Sequence, residues 1–253
     1  MRPLAIDLYC GLGGWTEGLL AEGYEVVGFD IERHVYGEHR YPGQLVLQNV
    51  LTLHGRQFKD AALIVASPPC QAYSYRAMPW KRAKALPPPD NSLFEACFRI
   101  QREAIEAAGR HVPLIVENVC GAQRWVGRAR WHHGSYYLWG DVPALMPIVI
   151  REPANRYKQT GEVSPHWRLN GEDSRKNSGG SWFAIAHNTT SGHGQNPDGR
   201  AIKGRGGSWF GEYNPGQLSR NASSGSVRRK FYAAMMAKIP LSLAQHIAKV
   251  YKS

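Results

Sequence analysis

The chain is short of acid. Against 31 lysines and arginines it carries only 20 aspartates and glutamates, a formal net charge of +11. An excess of that size points to a polyanionic partner, most often nucleic acid, although a merely basic surface would look the same on charge alone. Long apolar runs are also missing. No stretch approaches the about 18 consecutive apolar residues of a membrane-spanning helix, so no membrane is expected. The four cysteines, Cys10, Cys70, Cys97 and Cys120, form no CxxC pair, so no metal site is expected. Disulfides are not expected either in what reads as an intracellular, cytoplasmic chain. Asp7 interrupts the N-terminus too early for a secretory signal. The early glycines lack the GxGxxG spacing of a dinucleotide fingerprint.

What is present fits one large α/β domain with a small appendage. The chain has 253 residues, 43% hydrophobic and 20% charged. Ala61-Ala62-Leu63-Ile64-Val65 reads as a buried strand, and Pro68 and Pro69 end it, because proline cannot donate a ladder hydrogen bond. Cys70 follows at once. In an open α/β sheet, ligands and chemistry collect past the carboxyl ends of the strands. A single cysteine is most often a small buried hydrophobe. One held in a polar, proline-stiffened loop among basic residues suits a thiolate nucleophile instead.

Taken in order, the chain opens with a strand over Leu4–Tyr9, then the turn Cys10-Gly11-Leu12-Gly13-Gly14. A helix from Trp15 ends at Gly23, and a second strand runs from Tyr24 to Asp30. Glycines let a ligand approach the backbone, the helix N-terminus favours a carboxylate or phosphate, and an acid ending the second strand can hold a ribose diol. Gln44–Val50 is a third strand-like unit. Its end, Asn49-Val50, could read an adenine edge and cover the ring, or be a plain loop. The segment 71–89 mixes Arg76, Lys81, Arg82 and Lys84 with Tyr73, Tyr75 and Trp80. It is too long for a routine connection and suits a lid or nucleic-acid loop. Asn91–Ala108 is the best helix, closed by Gly109, with Cys97 on its core face. Pro113–Val116 is another buried strand, ending in Glu117-Asn118-Val119. Glu117 there is either a solvated loop acid or a desolvated proton donor with a raised pKa.

With Cys70 and Glu117 together, a family resemblance becomes specific. Asp7-Leu8-Tyr9-Cys10-Gly11-Leu12-Gly13-Gly14 resembles the cofactor loop of the cytosine-C5 DNA methyltransferases. Pro68-Pro69-Cys70-Gln71 with Ser74 resembles their catalytic motif, and Glu117-Asn118-Val119 their second one, in family order. The resemblance covers residues 1 to about 125 well and 228–253 weakly. It implies a class I, Rossmann-like methyltransferase fold and S-adenosyl-L-methionine as cofactor. The cofactor's methionine end would lie against Gly11–Gly14 and Trp15, with Asp7, Tyr9, Cys10, Leu12 and Pro68 around it. Asp30 would hold the ribose, Ile31 would pack on the adenine, and Asn49 with Val50 would meet its edge. Cys70 would attack C6 of a flipped-out cytosine, Glu117 would share a proton with N3, and Asn118 would orient the Cys70 loop. Double-stranded DNA is the implied partner. RNA cytosine, a variant cofactor, or a catalytically silent DNA binder of the same fold remain as alternatives. The family's glutamine–arginine–x–arginine strand has no clear match. Arg128 or Arg130 of Gly127-Arg128-Ala129-Arg130 would serve, or both are phosphate contacts.

The rest departs from the family. Residues 151–230 hold 13 bases against 6 acids, more than half of the chain's net charge. Gly179-Gly180-Ser181-Trp182-Phe183 recurs as Gly206-Gly207-Ser208-Trp209-Phe210, too few copies for a solenoid. The expectation is a catalytic and cofactor domain over 1–150, a small DNA-recognition region over 151–227, or else a disordered basic insert there, and a closing helical segment over 228–253. That last segment is broken at Pro240. Met236-Ala237 stands where the family has glycine–asparagine, so the closing helix is cofactor-contacting or purely structural. The small size fits a solitary, phage-like enzyme rather than a restriction partner, and reading DNA with one recognition region needs no symmetry, so a monomer is expected.

Overall fold

The short apolar stretches of the first 120 residues become parallel strands, each too brief for a helix. The computed structural model describes residues 2–73, 87–133, 136–146 and 227–252. Most of the expected lid, residues 74–86 with Ser74, lies outside the described residues, as does 147–226 with both Gly-Gly-Ser-Trp-Phe copies. The chain divides into two units: residues 1–75, 81–147 and 238–253, and residues 76–80 with 148–237. The segment read from sequence as 228–253 is thereby split, since the helix α4 defined below falls in the second unit and α5 in the first.

The first unit is built on β1 (Leu4–Leu8), α1 (Gly14–Ala21), β2 (Glu25–Asp30), a small hairpin of β3 (Val35–Tyr36) and β4 (His39–Arg40), β5 (Gln44–Leu47), β6 (Leu63–Ala66), α2 (Ser92–Ala108), β7 (Leu114–Asn118), a single turn α3 (Gln123–Val126), β8 (Trp131–His133) and β9 (Tyr136–Gly140). Of the C-terminal helices, α4 is Val227–Ala237 and α5 is Leu241–Tyr251. Seven strands form one sheet in the order β5-β2-β1-β6-β7-β9-β8. The pairs among β5, β2, β1, β6 and β7 are parallel; β9 runs antiparallel to both its neighbours. The chain winds outward from β1 through β2 to β5, then returns to β6 on the other side of β1. The order therefore reverses between β1 and β6, and their carboxyl ends open on the crevice where α/β sheets bind ligands.

One face of the sheet packs on α2, which buries Phe94, Cys97, Ile100 and Ala104 against Leu8, Ile64 and Val116. The other packs on α1 and α5, where Trp15 and Leu19 meet Leu243, Ala244, Ile247 and Ala248 over Ala5, Val65 and Ile115. Small residues let these two helices touch. A Cβ on Gly18 would lie 2.4 Å from that of Ala244. Sequence ended β7 at Val116, but the strand runs two residues further because Glu117 and Asn118 pair with Leu138 and Tyr137 of β9. Glu117 is therefore held within a ladder rather than in a loop. Among the described residues, no helix is long and apolar enough to cross a membrane.

Candidate active site

Three consecutive sequence features meet at the reversal point. The first is the turn after β1. Its backbone is left-handed at Tyr9 (φ 58°), Gly11 (52°) and Gly13 (78°). Tyr9 adopts this against its side chain, a cost of about 1–2 kcal/mol, and its hydroxyl donates to the Leu93 carbonyl at 2.8 Å. Such strain collects at functional sites. Gly13 caps α1 without a side chain, so no side-chain oxygen satisfies that helix's first N–H groups. A Cβ at Gly11 would meet nothing within 4 Å, whereas one at Gly14 would lie 2.4 Å from the Ile239 backbone nitrogen. One glycine faces open space and another admits close packing.

Asp7 and Asp30 flank this turn. Asp7 is 1% exposed; its Oδ2 accepts from Thr16 Oγ1 at 2.6 Å, while its Oδ1 has no partner. Burial pushes its carboxyl up to about 7, opposed by the Thr16 hydrogen bond and reinforced by the charge of Asp30. Thr16 spends its one hydrogen on Asp7, so at the 2.6 Å contact with Tyr41 the phenol donates. Asp30 accepts from Gly11 N at 2.9 Å and Glu32 N at 3.1 Å, and His34 stands 3.7 Å away. Burial pushes Asp30 up, but the hydrogen bonds from His34, Gly11 and Glu32 outweigh it, and its pKa falls. It is a carboxylate fixed at the end of β2. Ile31 beside it is 74% exposed, an apolar side chain left uncovered. Asn49 accepts from Leu51 N at 3.0 Å, which holds its amide in an Asx turn. Val50 is 2% exposed and packs in the core cluster with Phe29, Leu53 and Phe58. Cys10 is likewise buried, and burial raises its thiol pKa, so its side chain belongs to the core.

The second feature is the loop after β6. Pro68 is buried, Cys70 is half-buried and in no disulfide, and the Cys70 carbonyl accepts from Tyr73 N at 3.0 Å. The third is the end of β7, the neighbouring strand. Asn118 is 1% exposed and donates from Nδ2 to the Pro68 carbonyl at 3.0 Å, while its Oδ1 accepts from Val119 N at 2.8 Å. Burial pushes the Glu117 carboxyl up from 4.5 to about 8, opposed by a hydrogen bond from the Ser67 hydroxyl. Much of Glu117 is therefore protonated near neutrality. Arg128 and Arg130 are exposed; Arg130 N donates to the Leu138 carbonyl, two strands across from Glu117.

Sequence reasoning passed over Ser67, Thr16 and Tyr41. Ser67 had a signal, since it sits at the end of the strand beside the one carrying Glu117. Tyr41 had none. It reaches Thr16 by lying over Gly28, where a Cβ would come within 2.3 Å of its ring. Among the described residues no cluster of His, Cys, Asp and Glu suits a metal ion.

A mostly parallel seven-stranded sheet with one reversed strand, helices on both faces and a glycine turn at the switch point define a class I, Rossmann-like methyltransferase fold. Residues 4–122 match the family model for C-5 cytosine-specific DNA methylases. The Entamoeba histolytica methyltransferase EhMeth shares the fold, with a TM-score of 0.51 at 12% identity over 99% of this chain and 98% of that one. A prophage-encoded E. coli protein assigned as a DNA modification methyltransferase (TM-score 0.34, 20% identity) and the S. pombe Dnmt2 methyltransferase (0.34, 18%) each match over 49% of this chain. The chain spans only 34% and 36% of the length of those two. No curated protein matches it.

Proposed function

We propose that the protein is a DNA cytosine-C5 methyltransferase that uses S-adenosyl-L-methionine. The observation that carries this reading is the hydrogen bond from Asn118 to the Pro68 carbonyl. It joins the strand bearing Glu117 to the loop bearing Cys70 at the mouth of the crevice.

The residues present fit the cofactor. Gly11 leaves open space, the Gly13 cap leaves α1's N-terminus without a side-chain partner for a carboxylate, and the buried Asp7 Oδ1 is an acceptor in want of a donor. Asp30 would hold the ribose hydroxyls and Ile31 would cover the adenine. Bound there, the cofactor would supply an electrophilic methyl group. The chain's own residues would do the rest. Cys70, as thiolate, adds to C6 of the cytosine, and the ring's electrons move toward N3. Glu117, protonated near neutrality, donates to N3 and leaves C5 electron-rich. After C5 gains the methyl group, loss of its proton and elimination of the thiolate restore the ring and free Cys70. A stacked base cannot reach such a crevice, so the cytosine flips out of the duplex. Arg128 and Arg130, on the exposed approach to β8, would meet the base or its phosphates. The basic stretch 151–227 would read and hold the DNA.

The test is nucleoside mass spectrometry of unmethylated duplex DNA, and of RNA in parallel, after incubation with protein and cofactor beside a C70A control. 5-Methylcytosine in DNA, made by the intact protein alone, supports the proposal. Methylated RNA with unmodified DNA moves the substrate to RNA. Binding of duplex DNA with no transfer to either leaves a silent DNA binder.

A further inference from the structure

The catalytic carboxyl proposed above lies beside Ser67, one residue past the Ala66–Val116 pair of β6 and β7, and Ser67 is itself held. The Trp15 indole N–H, a donor only, points to Ser67 Oγ at 3.0 Å. With its oxygen occupied by the indole, Ser67 has its single hydrogen left for the Glu117 carboxyl, which lies opposite it one residue past the Ala66–Val116 pair and whose upward shift a hydrogen bond from Ser67 opposes. Both ends of this chain are rigid. Trp15 is 2% exposed, packed among Ala5, Leu19, Val65 and Ile115. Ser67 N donates to the Leu8 carbonyl at 3.1 Å, which extends the ladder one residue past β6. The indole therefore sets the rotamer of Ser67, and Ser67 sets where the carboxyl sits. The other titratable group facing Glu117 is Tyr136 of β9, whose hydroxyl donates to the Lys238 carbonyl at 3.2 Å. Burial and the Glu117 charge raise its pKa, so it stays neutral through the working range.

We propose that Ser67 is a positioning residue, its hydroxyl anchored by the Trp15 indole so that it holds the Glu117 carboxyl against the neighbouring Cys70 loop. The inference rests on the function proposed above and adds two residues to it. Trp15 lies in the first turn of α1, directly after the glycine turn, so the element that would bind the cofactor also fixes the acid that acts on the base.

The experiment combines a titration with kinetics on the full-length protein. Glutamate is labelled at the carboxyl carbon and the Glu117 resonance, assigned with E117Q, is followed by NMR against pH in wild type, S67A, S67T and W15F. A hydrogen bond that favours the ionised form is lost in S67A, so the Glu117 pKa rises by about one unit. In W15F the hydroxyl is freed to turn away and a smaller upward shift follows. S67T, which keeps the hydroxyl, restores the wild-type value. Methyl transfer to DNA falls about 10-fold in kcat for S67A with KM unchanged, and its alkaline limb moves up with the titration. Should S67A fail to fold, W15F carries the titration readout. An unshifted titration, or a shifted one with unchanged kcat, overturns the positioning role. Wild-type protein that transfers no methyl group overturns the proposed function itself, a result distinct from normal transfer by S67A.

Discussion

Asn118 on β7 holds the backbone of Pro68, two residues before Cys70, at 3.0 Å. Its amide can sit only one way round, because Nδ2 faces a carbonyl while Oδ1 faces the Val119 N–H. A flipped amide would set acceptor against acceptor and donor against donor.

Asn118→Ala should therefore leave a buried carbonyl without its donor and loosen the loop. The expected cost is about 1–3 kcal/mol in denaturant unfolding. Methyl transfer should fall about 10- to 100-fold from lost positioning. Transfer at the wild-type rate in a folded variant would show that the Cys70 loop needs no such tether.

A covalent role for Cys70 has its own signature. Duplex DNA with 5-fluorocytosine at the target cannot lose a proton from C5, so the elimination that frees the thiolate is blocked. Wild-type protein with cofactor should remain attached to that DNA on a denaturing gel, and C70A should not. A wild-type lane without adduct, alongside normal turnover of ordinary DNA, would sink the thiolate mechanism.

The pH profile should report Glu117. Its carboxyl is raised to about 8 and acts in the protonated form, so kcat should decline as pH rises through about 8. E117Q should lose that limb and about 100-fold in rate. A profile flat to pH 9 in the wild type would assign the N3 proton to another donor.

Asp7 makes a prediction about stability. Its folded pKa is raised from 3.8 to about 7, so the folded state binds the proton more tightly than the unfolded chain. Its contribution is present in full below about pH 4 and is lost as pH rises to about 7. Asp7→Asn keeps an acceptor for Thr16 and removes the buried charge. It should flatten that slope and stabilise the apoprotein at pH 8 by about 1–3 kcal/mol. Chemical denaturation from pH 4 to 8 measures it; parallel curves for the two proteins would refute it.

Gly14→Ala would drive a Cβ to 2.4 Å from the backbone nitrogen of Ile239 and 2.9 Å from Lys238 Cγ. Backbone cannot swing aside as a side-chain end can. The variant should lose about 1–3 kcal/mol and loosen α5 from α1, read by denaturant melts and by hydrogen exchange in 241–251. Unchanged exchange there would mean that the two helices do not depend on this contact.

Local chemistry alone was enough for much of the first unit. Leu4–Leu8, Leu63–Ala66 and Leu114–Val116 are short apolar runs with hard stops, and α2 has both a clean period and a glycine end. The motif residues Asp7, Gly11–Gly14, Asp30, Cys70 and Glu117 could be picked out because turn chemistry and strand-end position are written in neighbouring residues, while Asn118 was reached through the family resemblance. The helix pair around Pro240 was readable for the same reason, a proline between two periodic stretches.

Only the tertiary structure decided how those pieces act on one another. That Asn118 grips Pro68 requires β6 and β7 to be neighbours, and nothing in either segment states their adjacency. That Glu117 lies inside a ladder depends on β9, some twenty residues later, and its raised pKa on the burial that β9 brings. Val50 was turned inward by packing with Phe29 and Phe58, not by its own preference. Thr16, Tyr41 and Ser67 gained their partners from chains of hydrogen bonds that cross between elements, where sequence separation carries no information about distance. The sequence determined which residues can do the chemistry, since that is a property of side chains and local backbone. The fold decided their surroundings, because desolvation, hydrogen-bond geometry and proximity arise only when distant segments share one interior.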